Sequence, residues 1–255
     1  MLRQPTLDRL RELRLRGMAE AFATEQERPE AANLSFEERL GLLVDAEWTH
    51  RRNTMLARLL REAKLRLPAC PEDVEFGAAR GLDRSVWRAL FAGDFAQHHQ
   101  NVLIVGPTGV GKTYVACALG HACCRLGMRV RYVRLGALLQ DVALGRLDGS
   151  YGTLFARLAK TDLLILDDFG LAPLAGLEAR ELLEVIDDRY ERRSTVVCSQ
   201  LPLSEWHRAI TDPTLADAIL DRLVHGAHKF TLSGESMRKK KGGAADKEIK
   251  EEATL

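Results

Sequence analysis

The chain has 255 residues, 46% hydrophobic and 29% charged, a balance ordinary for a globular protein and unlike a collagen or a disordered polyelectrolyte. Lys and Arg total 37 against 36 Asp and Glu, so a net charge of +1 excludes a general polycation and confines any nucleic-acid contact to local patches. The cysteines, Cys70, Cys117, Cys123, Cys124 and Cys198, are odd in number and form no C-x-x-C pair, which argues against a disulfide framework or a zinc site.

The first residues, MLRQPTLDRLRELRLRG, are broken by arginine and lack the apolar core of a signal peptide. No apolar run reaches the ~20 residues of a membrane span. The expectation is a cytoplasmic protein with no membrane partner. Thr6 can cap a first helix in which Leu7, Leu10, Leu13, Met18 and Phe22 recur at roughly helical spacing, ending near Arg28-Pro29. A second helix starts at Ser35, where Ser35 and Glu38 form an S-x-x-E capping box, and runs through Leu43, Trp48 and Leu60 to Leu67-Pro68. Residues 1–67 therefore read as a small all-helical N-terminal domain. Pro68, Pro71, Gly77 and Gly81 mark a linker, and residues 68–100 lead into the next domain.

From Asn101 the pattern becomes α/β. NVLIVG reads as a strand, Lys112 to Leu126 as a helix closed by Gly127, and MRVRYVRL as a second strand. DLLILDD has the continuous apolar character of a strand buried on both faces of a parallel sheet, and STVVCSQ repeats it after a helix over Leu177 to Arg192. Strands alternating with helices predict a doubly wound domain over residues 101–233, with its ligand outside the carboxyl ends of the strands. Residues 234–255, basic and then of mixed charge, lack the apolar surface to order themselves and read as a flexible tail.

Gly106, Pro107, Thr108, Gly109, Val110, Gly111, Lys112 and Thr113 fit G-x-x-x-x-G-K-[ST] between a predicted strand and a predicted helix. Glycines let successive N–H groups converge on phosphate oxygens, and the helix that follows adds its positive end. ATP is the expected ligand, with Lys112 on the β- and γ-phosphates, Thr113 on Mg²⁺ and Tyr114 beside them. LLILDD supplies the acids: Asp167 for the magnesium through water, and Asp168 to polarise an attacking water. The alternative for Asp168 is a cap for the FGLAPL turn. An Asp is shorter than the Glu common at this place, so slow or activator-dependent hydrolysis is expected.

With IVGPTGVGKT, LLILDDFG, SQLP, DPTLADAILDRLVH and GESMRKK in this order, the chain resembles the IstB-like ATP-binding proteins of bacterial insertion sequences. These are members of the AAA+ superfamily close to DnaC-type helicase loaders and the DnaA initiator. The resemblance implies a P-loop AAA+ three-layer domain with a parallel sheet. It also implies a homo-oligomeric ATPase with shared sites that assembles on double-stranded DNA, remodels it and directs a partner transposase. By the same resemblance Gln200, with Ser199 second, senses the γ-phosphate. Arg222 in Asp221-Arg222-Leu223 is the arginine finger given to a neighbouring subunit, and Arg238 is a second sensor acting in cis. Read without the resemblance, Ser199 and Gln200 begin a turn, Arg222 is a surface arginine paired with a helix neighbour, and Lys239 to Lys241 are a solvated basic tail.

Arg51, Arg58, Arg61 and Lys64 recur along one side of the second helix, Arg129, Arg131 and Arg134 flank the strand after the P-loop helix, and Arg146 lies between Leu135 and Tyr151. Together they are candidate phosphate contacts without sequence readout; singly, each also reads as a solvated arginine paired with acids such as Glu47 or Glu62. Trp48, Trp87 and Trp206 read as core or interface anchors. Other readings are a replicative helicase loader, a monomeric P-loop kinase, which has no use for an intersubunit arginine, and a nucleotide-gated DNA scaffold reset by hydrolysis.

Overall fold

The computed structural model describes residues 3–25, 34–77 and 80–237, and the chain divides into two compact units, Met1–Arg58 and Leu59–Leu255. The first unit holds α1 (Arg3–Glu12), α2 (Arg16–Glu25) and most of α3 (Phe36–Ala63). Two helices stand where one was expected, and Thr6 lies inside α1 rather than capping it. Arg14 takes a left-handed φ of 60°, and Leu15 N–H returns to Leu10 O at 2.8 Å, a six-to-one bond that closes α1. The break lets Gly17 meet α3 so closely that a Cβ there would stand 2.5 Å from Ala46 O.

Glu47, buried on α3, accepts the Met18 N–H at 3.1 Å and so caps the start of α2 from a distance. Its partner Arg51 lies at 2.6 Å. The Ser35–Glu38 capping box forms as expected, with bonds of 2.7 and 3.2 Å. The expected helix end at Arg28-Pro29 falls outside the described residues. α3 stops at Ala63, short of Leu67, because Lys64 turns left-handed at φ 51°.

In the second unit, the stretch before Asn101 contains α4 (Arg84–Phe91) and α5 (Asp94–Gln97). Asp83 caps α4 through bonds to Ser85 N and Val86 N, and Trp87 and Phe95 are fully buried. Five parallel strands follow: β1 (Val102–Val105), β2 (Val130–Arg134), β3 (Leu163–Phe169), β4 (Ser194–Ser199) and β5 (His228–Thr231), in the order β2-β3-β4-β1-β5. The crossovers are α6 (Lys112–Arg125), α7 (Leu135–Asp148), α8 (Tyr151–Ala159), α9 (Gly176–Arg189) and α10 (Pro213–Val224).

Period-two alternation sorts the strand side chains between two helical layers. Leu103, Val105, Leu164, Leu166 and Val197 join the core formed with α7 to α10. Ile165 faces α6, where Gly120 lets helix and sheet approach until a Cβ would meet the Ile165 side chain at 2.8 Å. The result is the three-layer α/β domain expected. At the amino ends of β3 and β4, buried Arg189 donates to Leu158 O, Thr161 O and Ser194 O at 2.6 to 2.9 Å. This order inserts β4 between β1 and β3, so the carboxyl end of β4 stands between the glycine loop and the paired acids.

Candidate active site

The loop 106–111 leaves β1 and enters α6 through residues that only glycine serves well. Gly106 has φ 149° and a Cβ on it would lie 2.2 Å from Leu232 O, while Gly111, at φ 99°, is the N-cap of α6. The loop therefore turns its backbone toward a cleft of about 720 Å³, with the N-terminal end of α6 beside it. Lys112, 8% exposed, donates to Gly106 O at 2.6 Å and Pro107 O at 2.8 Å, which holds its charge across the loop. Val110 is buried and anchors the loop, whereas Thr108, Gly109, Thr113 and Tyr114 line the cleft.

Asp167 enters from β3 and is 2% exposed. Its Oδ2 accepts the Thr113 hydroxyl at 2.8 Å and the Tyr132 hydroxyl at 2.7 Å, and its Oδ1 accepts the Asp168 N–H at 2.9 Å. Consecutive strand residues should point to opposite faces, yet Asp167 and Asp168 line the same cleft. The cause is local: pairing with β4 shifts between Leu166 and Phe169, and Asp168 adopts a left-handed φ of 63°. An Asp tolerates that conformation better than most residues.

From β4, Gln200 reaches the loop by accepting the Thr108 hydroxyl at 2.7 Å. Ser199 is buried and donates to Phe169 O at 2.7 Å, so it ties β4 to β3 rather than facing the cleft. Lys112, Thr113, Asp167, Asp168 and Gln200 thus line one cleft.

Several lining groups were not singled out in the sequence. Arg80 donates to Glu75 O at 2.7 Å and Val110 O at 3.0 Å, bracing the loop from the segment read as a linker. Leu67, Pro68 and Val74 give one wall an apolar character, and Tyr114 stands beside them with its phenol pKa raised mainly by burial. Behind them Tyr132 is held in its neutral form by burial and by Asp167. A phenol inside a strand looks like an ordinary β-former, so only the pairing of β2 with β3 exposes its role.

Arg222 lies elsewhere. Its carbonyl accepts from Asn101 Nδ2 at 3.0 Å, which puts it at the amino end of β1, with the length of that strand, about 13 Å at 3.3 Å per residue, between it and the glycine loop. Its guanidinium donates to Asp187 at 2.6 Å and to Ala218 O at 2.9 Å. A separate cleft of about 820 Å³, walled by Glu184, Asp187 and Asp188, opens beside that pair. Arg238 is outside the described residues. Residues 234–237, read as the start of a tail, fold back on the loop, with Met237 N–H donating to Gly109 O at 2.9 Å.

The candidate DNA contacts differ in their settings. Arg58 and Arg61 are exposed on α3, Arg51 is engaged by Glu47, and Lys64 falls beyond the helix end, off the helical stripe. Arg134 is exposed at the carboxyl end of β2, but Arg131 is half-buried and close to Glu62 O, with desolvation lowering its pKa. Arg146 lies on the Tyr151 ring at 4.3 Å and neutralises the buried Glu181 at 2.9 Å. Among the described residues no group of His, Cys, Asp or Glu forms a metal-binding cluster, and no helix is long and apolar enough to cross a membrane.

A family model described as IstB-like ATP binding protein matches residues 8–245. A Sinorhizobium fredii protein named as an insertion sequence ATP-binding protein, y4pL, is 51% identical over 239 residues, 94% of this chain and 98% of its own. A Mycobacterium tuberculosis protein named as an ATP-binding protein in an insertion sequence is 34% identical over 233 residues, 91% of this chain and 93% of its own. Among solved structures, AMPPCP-bound DnaA from Aquifex aeolicus superposes with a TM-score of 0.57 at 18% identity, covering 69% of this chain and 53% of that one. The DnaC helicase loader superposes at 0.53 and 18% identity, covering 67% of this chain and 100% of its own. This chain spans about half the length of the DnaA chain, and at such identities the likeness is one of fold.

Proposed function

The chain belongs to the family of IstB-like ATP-binding proteins, AAA+ ATPases of insertion sequences, and from that premise we propose that it assembles on double-stranded DNA and there directs a partner transposase. ATP is the substrate. Lys112 and the loop N–H groups take the phosphates, and the apolar wall at Leu67, Pro68 and Val74 suits a base. Thr113 and Asp167 fit Mg²⁺, because the Thr113 proton is committed to Asp167 and leaves hydroxyl lone pairs free for a hard cation. Magnesium bound there supplies charge neutralisation at the phosphates. Asp168 orients and deprotonates the attacking water, and Gln200, already bonded to the loop through Thr108, reports on the γ-phosphate.

The observation that carries the shared-site reading is the placement of Arg222 at the end of the sheet opposite its own glycine loop. An arginine there cannot serve the phosphates of its own chain, but it is available to a neighbour's, and its rigid charged fork suits phosphate oxygens. DNA contact is assigned to the exposed arginines Arg58, Arg61 and Arg134 and is electrostatic in character. The family's setting in insertion sequences supports engagement by a transposase. The test is hydrolysis with and without duplex DNA at low and high salt. Stimulation by duplex that fades with salt supports this reading, and turnover indifferent to DNA contradicts it.

A further inference from the structure

The Tyr132 hydroxyl takes no part in the chemistry described so far, yet it touches the metal acid. Tyr132 is 8% exposed in the interior of β2 and donates to Asp167 Oδ2 at 2.7 Å. Thr113 donates to that same oxygen at 2.8 Å, and the Asp168 N–H takes the other oxygen at 2.9 Å. Arg66, an exposed residue that follows the end of α3, lines the cleft nearby but shares no hydrogen bond with this group.

The polarity of this bond is fixed by chemistry. An ionised carboxylate accepts and cannot donate, so the single Tyr132 proton goes to Asp167. A hydrogen bond to a charged acceptor is among the stronger ones. Asp167 pairs with Arg134 of β2 but lies inside the shift against β4, where the left-handed Asp168 interrupts the ladder, and there side-chain donors supply the orientation that regular pairing supplies elsewhere. With three donors in place, the carboxylate has one orientation and the Thr113 proton one acceptor. Thr113 then keeps its lone pairs turned to the cleft.

We propose that Tyr132 is a positioning residue for Asp167 and Thr113, so that loss of its hydroxyl loosens the magnesium site. The inference rests on the ATPase reading above. It assigns Tyr132 no contact with ATP.

The test compares wild type with Tyr132→Phe in binding a fluorescent ATP analogue, first in EDTA and then over a magnesium titration. Urea denaturation of both proteins runs alongside. Tyr132→Phe should leave affinity in EDTA unchanged and raise the magnesium concentration for half-maximal tightening about tenfold, the lower end for a lost bond to a charged group. An unchanged magnesium dependence in Tyr132→Phe, with or without lost stability, overturns the proposal and leaves Tyr132 a packing residue. If wild type binds no nucleotide, or binds it with no response to magnesium, the ATPase reading itself fails and the positioning role falls with it.

Discussion

Thr113 donates its hydroxyl to Asp167 at 2.8 Å, joining the first turn of α6 to the carboxyl end of β3 across 54 residues of sequence. This bond couples the phosphate loop to the acid strand. Thr113→Val keeps the shape and removes the hydroxyl. It should preserve nucleotide binding in EDTA and lower magnesium-supported hydrolysis about 10- to 100-fold, whereas Lys112→Ala should lose binding itself. Equilibrium binding and steady-state hydrolysis on the same preparations separate the two.

Asp168 shares the cleft with Asp167 only through its left-handed backbone and the adjoining register shift. Asp168→Asn keeps size and tolerates the same φ. Hydrolysis should fall about 10²- to 10⁴-fold with ATP affinity retained, and complexes formed on DNA should outlast those of wild type. Single-turnover hydrolysis and the lifetime of the DNA complex measure both.

Arg222 is held by Asp187 at 2.6 Å, away from its own loop. Arg222→Ala should bind ATP normally and hydrolyse it poorly. Mixed with Asp168→Asn protein, it should regain activity that neither variant has alone, since a protomer with intact acids then sits beside one with an intact arginine. An unrecovered mixture assigns Arg222 to an intramolecular ion pair only.

Arg189 is a stability residue with no access to the cleft. Arg189→Ala strands the carbonyls of Leu158, Thr161 and Ser194 in the interior and should cost about 3–5 kcal/mol in urea unfolding.

Glu47 answers to pH. Arg51, chiefly, and the Met18 and Gly17 N–H groups hold its carboxyl below the ordinary 4.5, so its folded value lies under its unfolded one. Its contribution is therefore complete above that ordinary value and is lost as pH falls through the folded pKa. Melting of the N-terminal helices, followed by circular dichroism from about pH 6 to about pH 3, should show an acid-labile component that Glu47→Gln lacks.

The phosphate loop was legible because its residues are consecutive, and Asp167 because a buried strand ending in acids is a local pattern. Their convergence needed the sheet order, which places β4 between β1 and β3 and so delivers Gln200 to Thr108. Tyr132 stayed hidden for the same reason, since its partner lies on a different strand. Arg189 left a trace: it continues the buried stripe of Leu182, Val185 and Ile186, where an arginine has to find internal acceptors. The break at Arg14 left none, because the close approach it permits, Gly17 to Ala46, joins residues far apart in the sequence.

Assembly through a shared ATP site is most directly tested by sedimentation of the full chain with ATP, magnesium and duplex DNA, beside Lys112→Ala under identical conditions. The account requires a multi-protomer complex in wild type that needs both ATP and duplex, shrinks at high salt and is absent in Lys112→Ala. A wild-type protein that sediments as a single protomer under every condition contradicts it.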